Sequence, residues 1–201
     1  KISGIVFDSA LHGIMGISKN MEPITPYLPW EDNRAISIIE KWKKDDYMQN
    51  IYFFTGCPLH PLYPLAKIYW LKENSLDVFK SVKFFASIKS YLIYKITEEI
   101  LEDYSIASGT GIFNIYKLDW DDSILKIIGI SRNCLPPLVP PNFIISKISK
   151  DFSYLTGLPV NIPVVVGGSD ASFSSLGSGT IYPKEMTIMI GTSGAIRYIS
   201  K

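Results

Sequence analysis

One segment of the sequence places a carboxylate directly after an apolar run and two glycines. It reads Pro-Val-Val-Val-Gly-Gly-Ser-Asp and ends at Asp170. The apolar run predicts a buried strand, and α/β proteins bind ligands where such strands end. The glycines allow a tight turn or a close approach to a ligand. The Asp170 carboxylate could face a ligand there, but Asp is also a common helix cap, and spacing alone favours the cap, although both roles could coexist.

A second segment, Gly191-Thr192-Ser193-Gly194, lies between two apolar runs that predict a β-hairpin. Backbone N–H groups in such a turn can form an anion site, and the two hydroxyl groups add donors, so phosphate oxygens would fit. The segment is not a P-loop, because no Gly-Lys-Thr follows. For an isolated string of this kind, an ordinary hairpin is the better explanation.

Two segments near the start could contact a ligand. His12 follows Leu11 between two predicted strands, and the WEDNR segment precedes the first predicted helix. A single His is more often a packed or surface residue than a ligand, and Asp32 is a credible helix cap. Since His60 is the only other histidine, the sequence offers few residues for a His-based metal site or a Ser-His-Asp hydrolase.

Composition excludes several classes of protein. The 201 residues are 47% apolar with a net charge of +1, and the lysines are scattered among acidic residues. This pattern argues for a globular enzyme and against a nucleic-acid partner. Cys57 and Cys134 lack the C-x-x-C spacing, which indicates a reducing compartment, and no apolar run approaches the roughly 18 residues that span a membrane. We expect a cytoplasmic protein.

The elements that must position these residues follow two hydrophobic periods, which together predict an α/β fold. Apolar residues at helical spacing predict helices from Ala35 to Trp42, from Leu62 to Tyr69, and from Asp121 or Asp122 to a stop at Gly129, with Asp122 as a cap. Short apolar runs predict strands over residues 2–7, 14–17, 112–118, 162–166, 187–190 and 195–199.

The two ends of the chain are strand-like. Residues 2–7 and 195–199 are apolar runs, whereas domains usually begin and end in polar segments. We therefore expect the chain to be part of a longer protein. A domain boundary is expected near residues 177–184, where small residues and Pro183 precede the final hairpin.

Taken in chain order, five segments resemble the FGGY family of carbohydrate kinases, and the match covers nearly the whole chain. SALHG is similar to the family's Q-M-H-G turn, WEDNR to its W-x-D-x-R segment, and DYSIASGTG to its D-x-S-x-A-S-x-T-G stretch. GGSD resembles the segment with the catalytic aspartate, and GTSG the second phosphate hairpin. GTSGAIR, YPLAKIYW and DYSIASGTG are most similar to the gluconate kinase branch.

The resemblance implies a ribonuclease-H-like, actin-type ATPase architecture that uses ATP and Mg²⁺. Residues 1–180 would form most of the N-terminal domain and residues 181–201 the opening hairpin of the C-terminal domain. Asp170 would be the general base, and Leu11, His12 and Asp170 would bind the sugar. Residues 191–194 would bind the nucleotide phosphates. The expected reaction converts gluconate to 6-phosphogluconate.

The sequence departs from the family pattern in two respects. Leu11 stands where Met is usual. The family's first phosphate hairpin is expected before Lys1 and its adenine-binding part after Lys201, so we expect the chain alone to be inactive. A xylulose- or glycerol-type kinase, an actin-like ATPase and a sugar-binding regulator stay open as alternatives, as does a homodimer.

Overall fold

The computed structural model of the protein describes residues 2–191 and 194–200. Short strands alternate with helices, as the sequence predicts. The strands are β1 (Ile5–Ser9), β2 (Met15–Ile17), β3 (Phe84–Ala86), β4 (Glu102–Asp103), β5 (Phe113–Asn114), β6 (Asp119–Trp120), β7 (Leu138–Val139), β8 (Ile144–Ile145), β9 (Val164–Ser169), β10 (Met186–Ile190) and β11 (Gly194–Tyr198). The helices are α1 (Ile36–Trp42), α2 (Asp46–Asn50), α3 (Tyr52–Thr55), α4 (Pro64–Asn74), α5 (Leu76–Ser81), α6 (Ile88–Thr97), α7 (Tyr104–Ser108), α8 (Asp122–Ile128), α9 (Lys150–Thr156) and α10 (Asp170–Gly177), and a 3₁₀ helix spans Arg132–Cys134.

The central sheet has the order β1, β9, β8, in which β9 is parallel to β1 and antiparallel to β8. The register of β1 and β9 shifts by one residue at Gly167, whose φ is 73°. A Cβ at this position would lie 1.9 Å from the Phe7 carbonyl oxygen, so only glycine fits. The predicted strand therefore continues through the glycines that were expected to end it.

The largest core lies among helices whose apolar stripes the sequence predicts. Ile38 and Ile39 of α1, Ile68 of α4, and Ile124 and Ile128 of α8 are all buried. A second core beneath β9 includes Val164 and Val166, which are fully buried. Burial of these faces is what makes such short helices stable, since isolated helices of this length are marginal in water.

The structure corrects two helix caps and one strand. Asp121, not Asp122, caps α8 by accepting hydrogen bonds from the backbone N–H groups of Ser123 and Ile124. Asp32 caps no helix, because its carboxylate pairs with Arg34. The strand predicted over residues 112–118 is a tight β5–β6 hairpin, in which the Asn114 side chain accepts hydrogen bonds from two following N–H groups.

The β10–β11 hairpin differs from the rest of the fold in its exposure. Its strands pair antiparallel from Met186 and Tyr198 to Ile190 and Gly194. Apolar side chains remain exposed on one face, and Ile190 is 86% exposed. The opposite face, which carries Arg197, lies over α10.

No helix within residues 2–191 and 194–200 is long and apolar enough to cross a membrane.

Candidate functional site

Asp170 lies at the point where β9 ends and α10 begins. The cap of α10 is Ser169, whose hydroxyl accepts a hydrogen bond from the Ser172 N–H at 3.3 Å. Capping was the role that spacing favoured for Asp170, and that interpretation is wrong. The Asp170 side chain is exposed, and its one protein hydrogen bond in the described chain comes from the Ala171 N–H at 2.7 Å. Its carboxylate is therefore available to a ligand.

Asp170 lines a cavity of about 380 Å³. Asp8 contributes a second carboxylate from the end of β1, and Arg197 contributes a guanidinium from β11. Because β1 and β9 are parallel, their carboxyl ends meet at one edge of the sheet. This cavity, which we call the open cavity, combines two acidic groups and one basic group.

Buried polar groups fix the backbone that leads to Asp170. The Lys89 ammonium pairs with the Asp103 carboxylate and donates to the Gly168 carbonyl at 3.0 Å. The Ser105 hydroxyl donates to Asp103 at 2.5 Å and accepts from the Ser169 N–H at 2.8 Å. Lys89 and Asp103 are fully buried. The predicted D-x-S stretch thus supports the two residues that precede Asp170.

His12 occupies a left-handed turn with φ of 68°. Its Nδ1 lies 2.7 Å from the Gly109 carbonyl oxygen, so Nδ1 carries the proton and donates this bond. Burial lowers the pKa of His12, although the bond to Gly109 and the charge of Asp170 act in the opposite direction. The ring is neutral near pH 7, which leaves Nε2 as a hydrogen-bond acceptor. The edge of the Tyr63 ring packs against it at 5.0 Å between centroids.

Lys67 joins the His12 turn to the segment before Trp30. Its buried ammonium donates to the carbonyl oxygens of His12 at 2.9 Å and Pro29 at 2.5 Å. Burial lowers the pKa of Lys67 to about 8, and Asp32 opposes that shift. The ammonium is thus protonated at pH 7 and satisfied by backbone acceptors. Sequence reasoning missed this residue, because its partners are distant in the chain.

Glu102 is a second buried acid near the His12 turn. It is 3% exposed, and its Oε1 has no hydrogen-bond partner in residues 2–191 and 194–200. It borders a small enclosed cavity with His12, Gly13 and Ser87. Burial raises the pKa of Glu102 to about 7, with Asp103 adding to the shift and Ser87 opposing it. The Glu102 carboxyl group is thus enclosed in the protein beside the His12 turn.

Leu11 lines a second cavity of about 600 Å³ between α7, α10 and β11. Ser105, Ser169 and Arg197 also line it, so Arg197 borders this cavity and the open cavity together. A Cβ at Gly109 would lie 2.9 Å from the Leu11 side chain, so the missing side chain at Gly109 leaves space for Leu11. The apolar residue at position 11 is accommodated by its neighbours.

The structure brings only some of the predicted site residues close to one another. Asp170 is near enough to His12 to influence its pKa, and Leu11 shares a cavity with Ser169, the residue before Asp170. Gly191 and Gly194 are exposed at the ends of β10 and β11. Thr192 and Ser193 lie outside the described residues. The ligand roles of all these residues stay predictions.

Asp8 and Arg197 are members of the open cavity that sequence reasoning missed. The sequence could have indicated Asp8, since it is a carboxylate at the end of a predicted strand. It could not have indicated Arg197, because tertiary packing decides which face of β11 lies over α10. In the described part of the chain no three His, Cys, Asp or Glu side chains form a metal-binding group. Mg²⁺ can bind through one or two carboxylates when phosphates and water supply its other ligands, and Asp8 and Asp170, which line the same cavity, would be the residues to hold it.

Comparisons with known proteins agree on one family. The model of the FGGY family of carbohydrate kinases, N-terminal domain, matches residues 1–177. A Bacillus subtilis gluconokinase is 38% identical over 199 residues, covering 99% of this chain and 39% of that protein. A Staphylococcus xylosus xylulose kinase is 28% identical over 193 residues, covering 96% and 40%.

Solved structures give the same result. A gluconate kinase and a ligand-bound xylulose kinase, both from Lactobacillus acidophilus, are each 34% identical to the chain with a TM-score of 0.94. Each match covers 98% of this chain and 40% of the other. The likeness confirms the predicted ribonuclease-H-like, actin-type α/β fold.

Proposed function

The chain belongs to the FGGY family of carbohydrate kinases, and we propose that it forms the sugar-binding part of an ATP-dependent kinase that phosphorylates gluconate. It spans about 40% of the relatives it matches, so the proposal concerns a kinase of full family length that carries this sequence. The observation that carries the proposal is the exposed Asp170 carboxylate. Ser169 caps α10 in its place, and the carboxylate faces the open cavity.

In the proposed mechanism, Asp170 orients the reacting hydroxyl and accepts its proton. A carboxylate is a weak base for an alcohol, so proton transfer comes late, as the O–P bond forms. Most of the catalysis then comes from positioning and from neutralising charge. The bulge at Gly167 and the Lys89–Asp103 pair supply the positioning.

The His12 turn binds the rest of the sugar in this proposal. Nε2 accepts a hydrogen bond from a sugar hydroxyl, because Nδ1 already donates to Gly109. The Leu11 side chain packs against C–H groups of the sugar. Residues 191–194 bind the phosphates of ATP through backbone N–H groups, as a hairpin turn can. ATP bound with Mg²⁺ supplies the phosphoryl group and part of the neutralising charge.

Gluconate is proposed as the acceptor because two Bacillus gluconokinases are 38% and 36% identical to the chain, whereas the Staphylococcus xylosus xylulose kinase is 28% identical. Xylulose is the second candidate, since a xylulose kinase and a gluconate kinase match the structure equally well. Steady-state kinetics of the full-length kinase on gluconate, xylulose and glycerol decide between them. We expect the highest kcat/KM for gluconate, and a higher value for xylulose would replace the proposed substrate.

A further inference from the structure

The three arginines of the sequence have different partners. Arg34 pairs with Asp32 at 2.9 Å and lies over the Trp70 ring at 4.9 Å. Arg132 pairs with two carboxylates, those of Asp119 at 2.6 Å and Asp122 at 2.9 Å. Two of the three guanidinium groups are therefore neutralised within the protein.

Arg197 is the exception. Within the part of the chain that the structure describes, it forms no ion pair, and its one hydrogen bond is a long one of 3.4 Å to the Ser174 hydroxyl. Side chains alternate along β11, and the residues at 195 and 197 face inward while those at 196 and 198 are more exposed. This alternation directs Arg197 toward α10 and into the cavities.

The position of Arg197 suits an anionic ligand. It lines the open cavity with Asp8 and Asp170, yet neither carboxylate lies within ion-pair distance of the guanidinium. An anion that entered beside two carboxylates would be repelled unless a cation stood near it. A guanidinium has a planar array of donors that fits two oxygens of a carboxylate or a phosphoryl group.

We propose that Arg197 binds a pair of anionic oxygens of the reacting substrates beside Asp170. This inference rests on the proposed kinase function, which supplies two groups with that chemistry: the carboxylate of a sugar acid and the phosphoryl group that is transferred. Either one would complete the hydrogen bonds that the guanidinium lacks within residues 2–191 and 194–200. Arg197 would thereby couple the β10–β11 hairpin to the site at the end of β9.

The test compares Arg197→Met and Arg197→Lys with wild type in the full-length kinase. Arg132→Lys is the matched control, because Arg132 is paired and lines neither of the cavities that Arg197 borders. We expect Arg197→Met to lower kcat/KM by about 10- to 100-fold, as for loss of a hydrogen bond to a charged group. Arg197→Lys keeps the charge but loses the planar array, so we expect a smaller loss. The control should stay within about twofold of wild type, by the weak energetics of exposed ion pairs.

Two further measurements distinguish the sources of the anion. If Arg197 binds the sugar carboxylate, the loss appears in gluconate affinity by calorimetry and is absent with an uncharged polyol. If it binds the phosphoryl group, kcat falls to the same extent with gluconate and with the polyol. Either result supports the proposal.

The proposal is overturned if Arg197→Met keeps wild-type kinetics and wild-type affinity for gluconate and ATP. It is also overturned if activity and melting temperature fall together, because Arg197 would then support only the hairpin. Wild-type turnover measures the kinase function separately. A wild-type protein that binds gluconate or ATP without turnover would contradict that function, and the affinities of the variants would still decide the role of Arg197.

Discussion

Two groups of charged residues lie near each other in opposite environments. Lys67, Lys89, Glu102 and Asp103 form what we call the buried layer, in which every residue is 3% exposed or less. The open cavity instead presents Asp8, Asp170 and Arg197 to the solvent side of the sheet edge. In the buried layer, Lys67, Lys89 and Asp103 bind backbone carbonyl and N–H groups of the turns that carry the site, whereas the open cavity leaves its charged groups available.

The difference in environment indicates that the buried layer positions the site and that the open cavity holds the groups that would react with a ligand. A buried charge without a partner is costly, so changes in the buried layer should act on the free energy of unfolding. A charge in the open cavity has solvent as an alternative partner, so changes there should act on turnover. Substitutions in the two groups of residues should therefore have separable effects.

The largest effect is expected for Asp170→Asn in the full-length kinase. Loss of the base should lower kcat by about 100- to 10,000-fold. The melting temperature should not change, because Ser169 caps α10. Ser169→Ala is the matched control, and loss of its cap should cost about 1 kcal/mol of stability. Near-normal turnover together with a lowered melting temperature for Asp170→Asn would show that Asp170 stabilises α10 and is not the general base.

Lys89→Met should destabilise the protein by about 3–5 kcal/mol, because Asp103 would be left as an unpaired buried charge. Urea denaturation measures this loss. The double variant Lys89→Met/Asp103→Asn should recover much of it, since no buried charge then remains. Lys43→Met, which breaks the exposed pair with Glu40, should change stability by less than about 1 kcal/mol. Equal losses of stability for the buried and the exposed pair would contradict the proposed difference between the buried layer and exposed charges.

Glu102 should make the free energy of unfolding depend on pH. Its folded pKa of about 7 lies above the unfolded value near 4.5, so the folded state binds the extra proton between these values. The stability that this proton provides is complete below about pH 4.5 and is lost as the pH rises through 7, by about 1–3 kcal/mol.

Glu102→Gln removes this titration. The stability difference between wild type and Glu102→Gln should therefore shift against wild type from pH 4.5 to pH 7. Denaturation curves at several pH values measure it. A difference that is constant across this range would show that Glu102 has an ordinary pKa.

Gly194→Ala in the exposed hairpin should change the free energy of unfolding only slightly. A Cβ there would lie 3.7 Å from the Met189 carbonyl oxygen, which is ordinary contact, so the cost should stay below about 0.5 kcal/mol. If the turn binds phosphate through its backbone, ATP affinity should fall while gluconate affinity is unchanged. Gly167→Ala is the contrasting variant and should unfold the site, since its Cβ would overlap the Phe7 carbonyl. Loss of both ligands in Gly194→Ala would contradict a phosphate role.

The sequence by itself determined three of the helices and the family. Helices α1, α4 and α8 could be predicted because each must bury one apolar stripe, and their apolar residues follow the helical period. Glycine at 129 marked the end of α8, where φ is 78°. The order of the five motifs indicated the FGGY kinases, and the family model confirms it.

Only the tertiary structure decided how the site is assembled. Ser169 and not Asp170 caps α10, a choice between adjacent residues that spacing in the sequence does not make. The burial of Lys67 and Lys89 could not be predicted from the sequence, since their backbone acceptors belong to residues 38 to 79 positions away. The physical reason is that periodicity reports which face of an element is buried, whereas partners distant in the chain are set by how the elements pack together.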